Sequence, residues 1–486
     1  MASASNPTSA DRLARGQVTR YAIGSLGTGG FATLPGLVLV YYLTDSLGVT
    51  ALAAGAIVTA AKVWDVLIDP VIGSLSDRAH VRTGTRRGLM VIGGIGLPVA
   101  FVLTFAVPGG LGAVPSAIWV LVAFVLAATC FSLFQVPYIA LPAELTDGYR
   151  ERTRLLSWRV VVLTVAILLF GAGGPELRGL FPDAPLTGYL VMAAVAGVVI
   201  GIGMLIASSV APRTAPQALT AAASAPAVSA PAVSAVGSSY RAAIGVLRDS
   251  QPFRALLLTY MLQGLATGLM LAAAQFVARW LLQDEGAVTP LFLALIAPAV
   301  FTAPVWKVVA DRVGKERAFR LSSLLFLVAT LILTAMVWAP GWWILAPVAL
   351  AGAAYAGMQT LPMAMLPDII AHDRAHGGSA GRAGMFSGVW TAGETTGMAL
   401  GATVLSVVLA ATGYIESVAG AQAQSQPDAA VTGIALAFSA LPALLMLLSI
   451  ISLGRYRLRE QDVPAGHGVT AEPDDTGTQA GTGDPA

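Results

Sequence analysis

Residues 62–78 read KVWDVLIDPVIGSLSDR. Lys62, Asp65 and Asp69 recur at helical spacing, so they share one face, with the two carboxylates one turn apart. Their neighbours are apolar enough for a bilayer, where each charge costs about 3 kcal/mol or far more. Such charges persist when they face a bundle interior, have partners and, as a rule, serve a function. Two carboxylates within ~6 Å repel, so their titrations are coupled and split. A pair of this kind can take up a proton or a sodium ion and shed its charge penalty when loaded. Pro70 frees a backbone carbonyl one turn earlier, a further oxygen ligand. The alternative reading is a structural ion-pair network with Lys62 or Arg159.

Few other polar groups lie inside apolar segments. Arg159 serves a site equally well as it snorkels to an interface. Glu394, in GVWTAGETTG with Thr391 and Thr395, is expected to face a cavity. Lys307 fits a snorkelling position. Trp64, Tyr138, Gln359 and Trp390 are candidate cavity-lining residues, with ordinary packing the alternative for the aromatics. His372 and His376 stand four apart in a glycine-rich stretch read as a solvated loop. There is no Walker motif, metal-ligand cluster or serine–histidine pattern in a plausible context, so neither an enzyme nor a cofactor is expected.

These residues need elements to hold them. The chain has 486 residues, 56% hydrophobic and 11% charged, against about 25% charged in soluble domains. Most of its surface must therefore face lipid, and the partners expected are the bilayer and a small-molecule or lipid substrate, with the protein a monomer. A net charge of +2 suggests no nucleic-acid partner. The single cysteine, Cys130, excludes an intrachain disulfide. The polar start (Asp11, Arg12, Arg15) reads as no removable signal peptide.

A spanning helix needs about 20 mostly apolar residues. Twelve such segments are expected, at 20–43, 51–76, 88–107, 115–141, 156–174, 187–210, 253–280, 288–309, 319–339, 342–366, 384–412 and 430–454. An all-α membrane protein follows, because in lipid every backbone group needs an internal partner. Arg78, Arg82, Arg86, Arg87, Arg150, Arg152, Arg154, Arg312, Lys315, Arg317 and Arg320 fall on one side of this layout. Only Arg178 and Arg279 fall on the other. The bias puts both termini in the cytoplasm of a cell-membrane protein. The expected domains are an N-terminal segment (1–19), a first bundle (20–210), an Ala/Pro/Ser linker (211–250), a second bundle (251–458) and a disordered tail (459–486).

The halves echo each other. SDRAHVRTGTRR follows the second segment and ADRVGKERAFR the eighth; QVPYIALPAE ends the fourth and QTLPMAMLPD the tenth. A duplicated six-helix unit follows, the plan in which one half rocks against the other around a central site. Asp77, Arg78, Asp311 and Arg312 then read either as plain topology signals or as gating latches.

The same stretches resemble the glycoside–pentoside–hexuronide:cation symporters, the melibiose permease group of the major facilitator superfamily. The resemblance rests on KVWDVLIDPVIGSLSDR and continues in YAIGSLG, YYLTDSLGVT, VPYIALPAELT and GRAGMFSGVWTAGETTGMALG, covering the membrane region. It implies the twelve-helix facilitator fold in two pseudo-symmetric bundles. It places Asp65 and Asp69 at the coupling-cation site, Ser132 at a hydroxyl-ligand position and Arg159 near the substrate. Four positions depart from the family pattern. Gly29 replaces a sugar-binding aspartate, Gln135 an aspartate shared by sugar and cation, Ile68 an asparagine and Thr395 a lysine. Gln135 still offers an amide oxygen to either ligand.

The function expected is cation-coupled symport of a small organic solute such as a sugar or glycoside. Lysophospholipid transport, as in animal relatives, and proton-antiport export are the alternatives. The departures favour H+ over Na+, since sodium wants five or six oxygens and Ile68 supplies none. The candidate cation site is Asp65, Asp69, Ser132 and Gln135. The candidate substrate site is Lys62, Trp64, Gln135, Tyr138, Arg159, Gln359, Trp390, Thr391, Glu394 and Thr395.

Overall fold

The computed structural model describes residues 13–146, 149–212, 245, 247–375, 382–419, 425–456 and 458. Among these residues, twelve helices are long and apolar enough to cross a membrane. The first half holds α1 (Arg15–Asp45), α2 (Ala51–Thr83), α3 (Arg87–Phe105), α4 (Ala113–Leu145), α5 (Tyr149–Gly179) and α6 (Pro185–Ser208). The second holds α7 (Gln251–Leu281), α8 (Val288–Val313), α9 (Lys315–Leu333), α10 (Leu345–Ala375), α11 (Arg382–Ala411) and α12 (Asp428–Leu453). Most of the linker and all of the tail lie outside the described residues.

The segments were placed well in order and number, but several helices outrun their apolar cores. α2 continues to Thr83, α5 starts at Tyr149, and α1 starts at Arg15, inside the expected N-terminal segment. Hydropathy marks where lipid begins and ends, whereas helical hydrogen bonding continues into water. His372 accordingly stands on the end of α10, not in a loop; His376 lies outside the described residues.

The duplication is borne out in packing. Within the first half α1 packs on α5 and α6, α2 on α4, and α3 on α4 and α6. Within the second, α7 packs on α11 and α12, α8 on α10, and α9 on α10 and α12. Each contact has its counterpart six helices on. Between the halves α2 meets α11, α5 meets α8, and α1 meets α7. The first two are again symmetry mates.

These crossings are close where glycines permit it. A Cβ on Gly401 of α11 would come within 2.3 Å of the Gly268 backbone of α7. One on Gly171 of α5 would strike Phe292 of α8.

The halves are clasped at the end away from the basic loops. Tyr414 donates to Asp45 Oδ1 at 2.6 Å, and the Ala51 amide donates to Glu416 at 2.9 Å. The amides of Ser417 and Ala419 donate to the carbonyls of Thr44 and Ser46, each at 3.0 Å. Arg178, only 7% exposed, donates to Tyr189 in its own half at 3.1 Å and to Glu285 of the other half at 3.4 Å. Arg279 pairs with the same Glu285. At the basic end Arg86 pairs with Asp77 and Glu144, and Lys315 with Asp368, each within its own half. Among the described residues, the polar clasp between the halves thus lies at the end away from the basic loops.

Arg178 is the charged centre of that seal, and a charge-assisted contact contributes about 1.5–3 kcal/mol. With Cys130 replaced by serine and spin labels at Leu180 and Trp338, Arg178→Ala should broaden the inter-label distances towards longer values. The open population should rise roughly tenfold or more. An unchanged distribution would assign the seal to the Asp45, Glu416 and backbone contacts alone.

Candidate functional site

α2 carries the carboxylate pair on its inner face. Val63, Leu67 and Val71, spaced four apart, are exposed on its outer face, while Asp65 is 8% exposed. Lys62 Nζ lies 3.1 Å from Asp65 Oδ2. Asp69 lies beside the Ser132 hydroxyl of α4 and within electrostatic reach of Asp65 and Lys62. Oδ1 of each aspartate is buried without a hydrogen-bond partner. The two orphaned carboxylate oxygens, the buried Ser132 hydroxyl beside Asp69 and the Lys62 ammonium on Asp65 form one polar cluster inside the bundle. Pro70 is carried inside α2 without breaking it.

Gln135 stands one turn beyond Ser132, and its amide oxygen accepts from Thr28 of α1 at 2.8 Å. Tyr138 is fully buried. Its hydroxyl donates to the Tyr21 carbonyl at 2.8 Å, its ring stacks on Tyr21, and Arg159 sits 5.4 Å from its centroid. Tyr138 thus braces the break in α1 at Gly24, with Arg159 packed over it. Arg159 Nε is buried and unpartnered. Trp64 turns about 100° away from Asp65 around the helix and donates to Thr129 of α4 at 2.8 Å, tying helix to helix.

The second half carries its own polar cluster. Glu394 of α11 lies 2.9 Å from the Tyr260 hydroxyl of α7, which lies 2.6 Å from Gln359 Oε1 of α10. Gln359 Nε2 in turn donates to Tyr355. Gln263, Gly264, Thr267, Met358 and Met398 complete the pocket lining. Trp390 is buried and stacked on Tyr260 at 4.6 Å, so it props the ring. Thr395 donates to the Thr391 carbonyl at 3.0 Å. Sequence reasoning passed over Tyr260, Gln263 and Tyr355. A signal was present, because Tyr260, Gln263 and Thr267 form a polar stripe at helical spacing in an apolar helix.

Helix geometry brings the two clusters to one depth. Thr59 of α2 and Thr403 of α11 are hydrogen-bonded across the halves. From there Asp65 and Asp69 lie about 9 and 15 Å towards the basic end, and Glu394 about 14 Å in the same direction. The carboxylate pair and Glu394 thus sit on two helices that meet on the sealed side.

The gating candidates separate. Asp77 lies 2.7 Å from Arg86, which also lies 2.5 Å from Glu144 at the end of α4 and donates to Ser76 at 2.8 Å. Lys315 lies 2.6 Å from Asp368 at the end of α10, the counterpart of Glu144. Arg78, Asp311 and Arg312 are exposed. The repeated acids are therefore the ion-pair partners of the repeated basic turns, a link that the order of the motifs alone did not reveal.

Residues 20–460 match the family model described as MFS/sugar transport protein. The chain is 25% identical to an uncharacterized symporter of Synechocystis over 92% of its length and 95% of the relative's. It is 23% identical to a glucuronide carrier protein homolog of Escherichia coli, over 91% and 93%. Among solved structures, a D-xylose–proton symporter superposes with a TM-score of 0.66 at 12% identity, covering 92% of this chain and 98% of that one.

The structure also explains one departure from the family pattern. A Cβ on Gly29 would lie 2.7 Å from Ala166 Cβ and 3.2 Å from the Leu163 carbonyl of α5. No carboxylate fits there. Gly29→Asp should destabilise the protein by about 1–3 kcal/mol or more through overpacking and an unpaired charge, lowering the melting temperature in detergent. A variant as stable as the native protein would show that α1 and α5 can part to admit a side chain.

Proposed function

Because the chain belongs to the MFS/sugar transport protein family, among its glycoside–pentoside–hexuronide:cation symporters, we propose that it carries a small organic solute together with a cation by alternating access. It is a transporter, not an enzyme. The observation that carries the reading is the pair of orphaned buried oxygens on Asp65 and Asp69 beside Ser132. An unloaded carboxylate pair is costly to enclose in a low dielectric, and a bound cation removes much of that cost. Loading therefore favours the closing movement that carries the site across the membrane. The basic loops put both termini in the cytoplasm, so the sealed end is the outer one and the site opens inward.

A proton fits this site better than sodium. Beyond the two carboxylates and Ser132 the oxygens are few: Ile68 contributes none, and the Gln135 oxygen is already engaged by Thr28. A proton needs a single carboxylate. Asp77, Arg78, Asp311 and Arg312 act in this reading at the inner gate, with the Asp77–Arg86–Glu144 and Lys315–Asp368 pairs fixing the helix ends against which the gate closes.

A thermal-shift screen of sugars and glycosides supplies the solute for proteoliposome uptake. Accumulation should follow an inward pH gradient and be nearly indifferent to sodium at fixed pH. Asp69→Asn should retain exchange while accumulation falls at least tenfold. Uptake that requires sodium and ignores the pH gradient would overturn proton coupling; an Asp69→Asn carrier that still accumulates would overturn the cation site.

A further inference from the structure

The pocket of the second half holds more hydrogen-bond acceptors than donors. Tyr260 has one hydroxyl proton, yet it stands between Gln359 Oε1 at 2.6 Å and Glu394 Oε1 at 2.9 Å. With Glu394 ionised and the Gln359 amide turned so that its Nε2 donates to Tyr355, that one proton cannot serve both acceptors. Gln263 is 2% exposed and lines the same pocket. Its Nε2 donates to Ser323 at 2.9 Å and Ser449 at 3.1 Å. Ser323 gives its own proton to the Phe319 carbonyl at 2.8 Å, so the Gln263 nitrogen must be the donor and the amide orientation is fixed. Gln263 Oε1 is then a buried acceptor with no partner.

Charge is unbalanced in the same place. In the first half, Lys62 and Arg159 stand against Asp65 and Asp69. Glu394 belongs to none of the ion pairs among the described residues. An unpaired carboxylate at this depth, beside an orphaned amide oxygen and a half-served one, needs a ligand with positive charge and several protons to donate. A hydroxyl gives one proton and no charge. A primary ammonium gives three protons and one charge. A carboxylate or sulfonate group would meet acceptors and like charge, which is costly in a desolvated pocket.

We propose that Glu394, Gln263 and Gln359 form a subsite for a protonated amine on the transported solute, whether that amine belongs to a soluble molecule or to a lipid headgroup. The inference rests on the transport reading above and adds the solute's chemical class to it. The amine docks on the second half, while the remainder of the solute reaches towards Lys62 and Arg159 of the first.

The test is binding to the purified carrier of a panel chosen for charge at fixed skeleton: glucosamine, glucose and glucuronate, with ethanolamine as a bare amine. Lysophosphatidylethanolamine is set against lysophosphatidylglycerol as the lipid arm. Glucosamine should bind at least tenfold more tightly than glucose, and glucuronate most weakly; if the amine belongs to a lipid, the preference should appear in the lysolipid pair instead. Glu394→Gln should erase the preference, and Glu394→Asp should keep its order, which a merely structural role would not do. Glucuronate equal to or better than glucosamine, an order unchanged in Glu394→Gln, or no binding by any amine would each overturn the proposal. pH-gradient-driven uptake of another solute without amine preference would sink this inference and leave symport standing. Amine binding without gradient-driven uptake would do the reverse.

Discussion

A charge inside a bilayer has no water to fall back on, and this constraint organises the structure. Each ionised side chain at depth is either matched by protein or turned towards a space a ligand can enter. Lys62 serves Asp65, Ser132 serves Asp69, and the Tyr138 ring lies under Arg159. Among the described residues Glu394 has a single hydrogen-bond partner, the phenol of Tyr260. What remains unmatched is as informative as what is paired, because the leftover oxygens on Asp65, Asp69 and Gln263 cannot be left to bulk solvent. The outward stripe of Val63, Leu67 and Val71 shows the same rule from the lipid side: α2 can hold two carboxylates only by presenting them all to one direction.

The duplicated architecture turns that local rule into a mechanism. Five helix pairings in one half recur between the corresponding helices of the other, so the two halves share one packing plan. The contacts across the halves are fewer and lie along α2–α11, α5–α8 and the α1–α7 axis. The seal adds local polar contacts to the apolar packing of Tyr41 on Phe276: a buried Arg178 reaching Glu285, a Tyr414–Asp45 bond and an isolated β-bridge between Leu47 and Val418. Such contacts can be exchanged for water at the surface without unpacking either core.

Much of this was legible in the sequence, for definite reasons. Apolar runs of membrane length fix the number of helices, since nothing but a helix satisfies the backbone in lipid. The spacing of Lys62, Asp65 and Asp69 fixed their common face. What escaped was whatever depends on contacts between distant segments. Arg178 read as one of two stray outside charges, whereas it is the buried centre of the seal. Glu144 and Asp368 read as echoes, whereas they are partners of Arg86 and Lys315. Tyr138 read as a cavity aromatic, and its hydroxyl proved to be committed to the Tyr21 carbonyl. The pocket around Glu394 draws on α7, α10 and α11, and no local spacing announces a site assembled from three helices.

The two clusters sit on opposite halves, and that separation bears on how coupling would arise. In the proposed reading the cation neutralises the first half and the solute's amine the second. In that reading, closing the inner gate would desolvate both clusters together, because they lie at similar depth on α2 and α11, which already meet at Thr59 and Thr403. If only one cluster is loaded, the other takes its uncompensated charge into the closed state and that state is disfavoured. If both are loaded, neither does. Stoichiometric symport then requires no direct contact between cation and solute, only that one movement buries both. The replacement of the family's shared aspartate by Gln135 fits such an arrangement, since a residue that binds both ligands at once is no longer needed to link them.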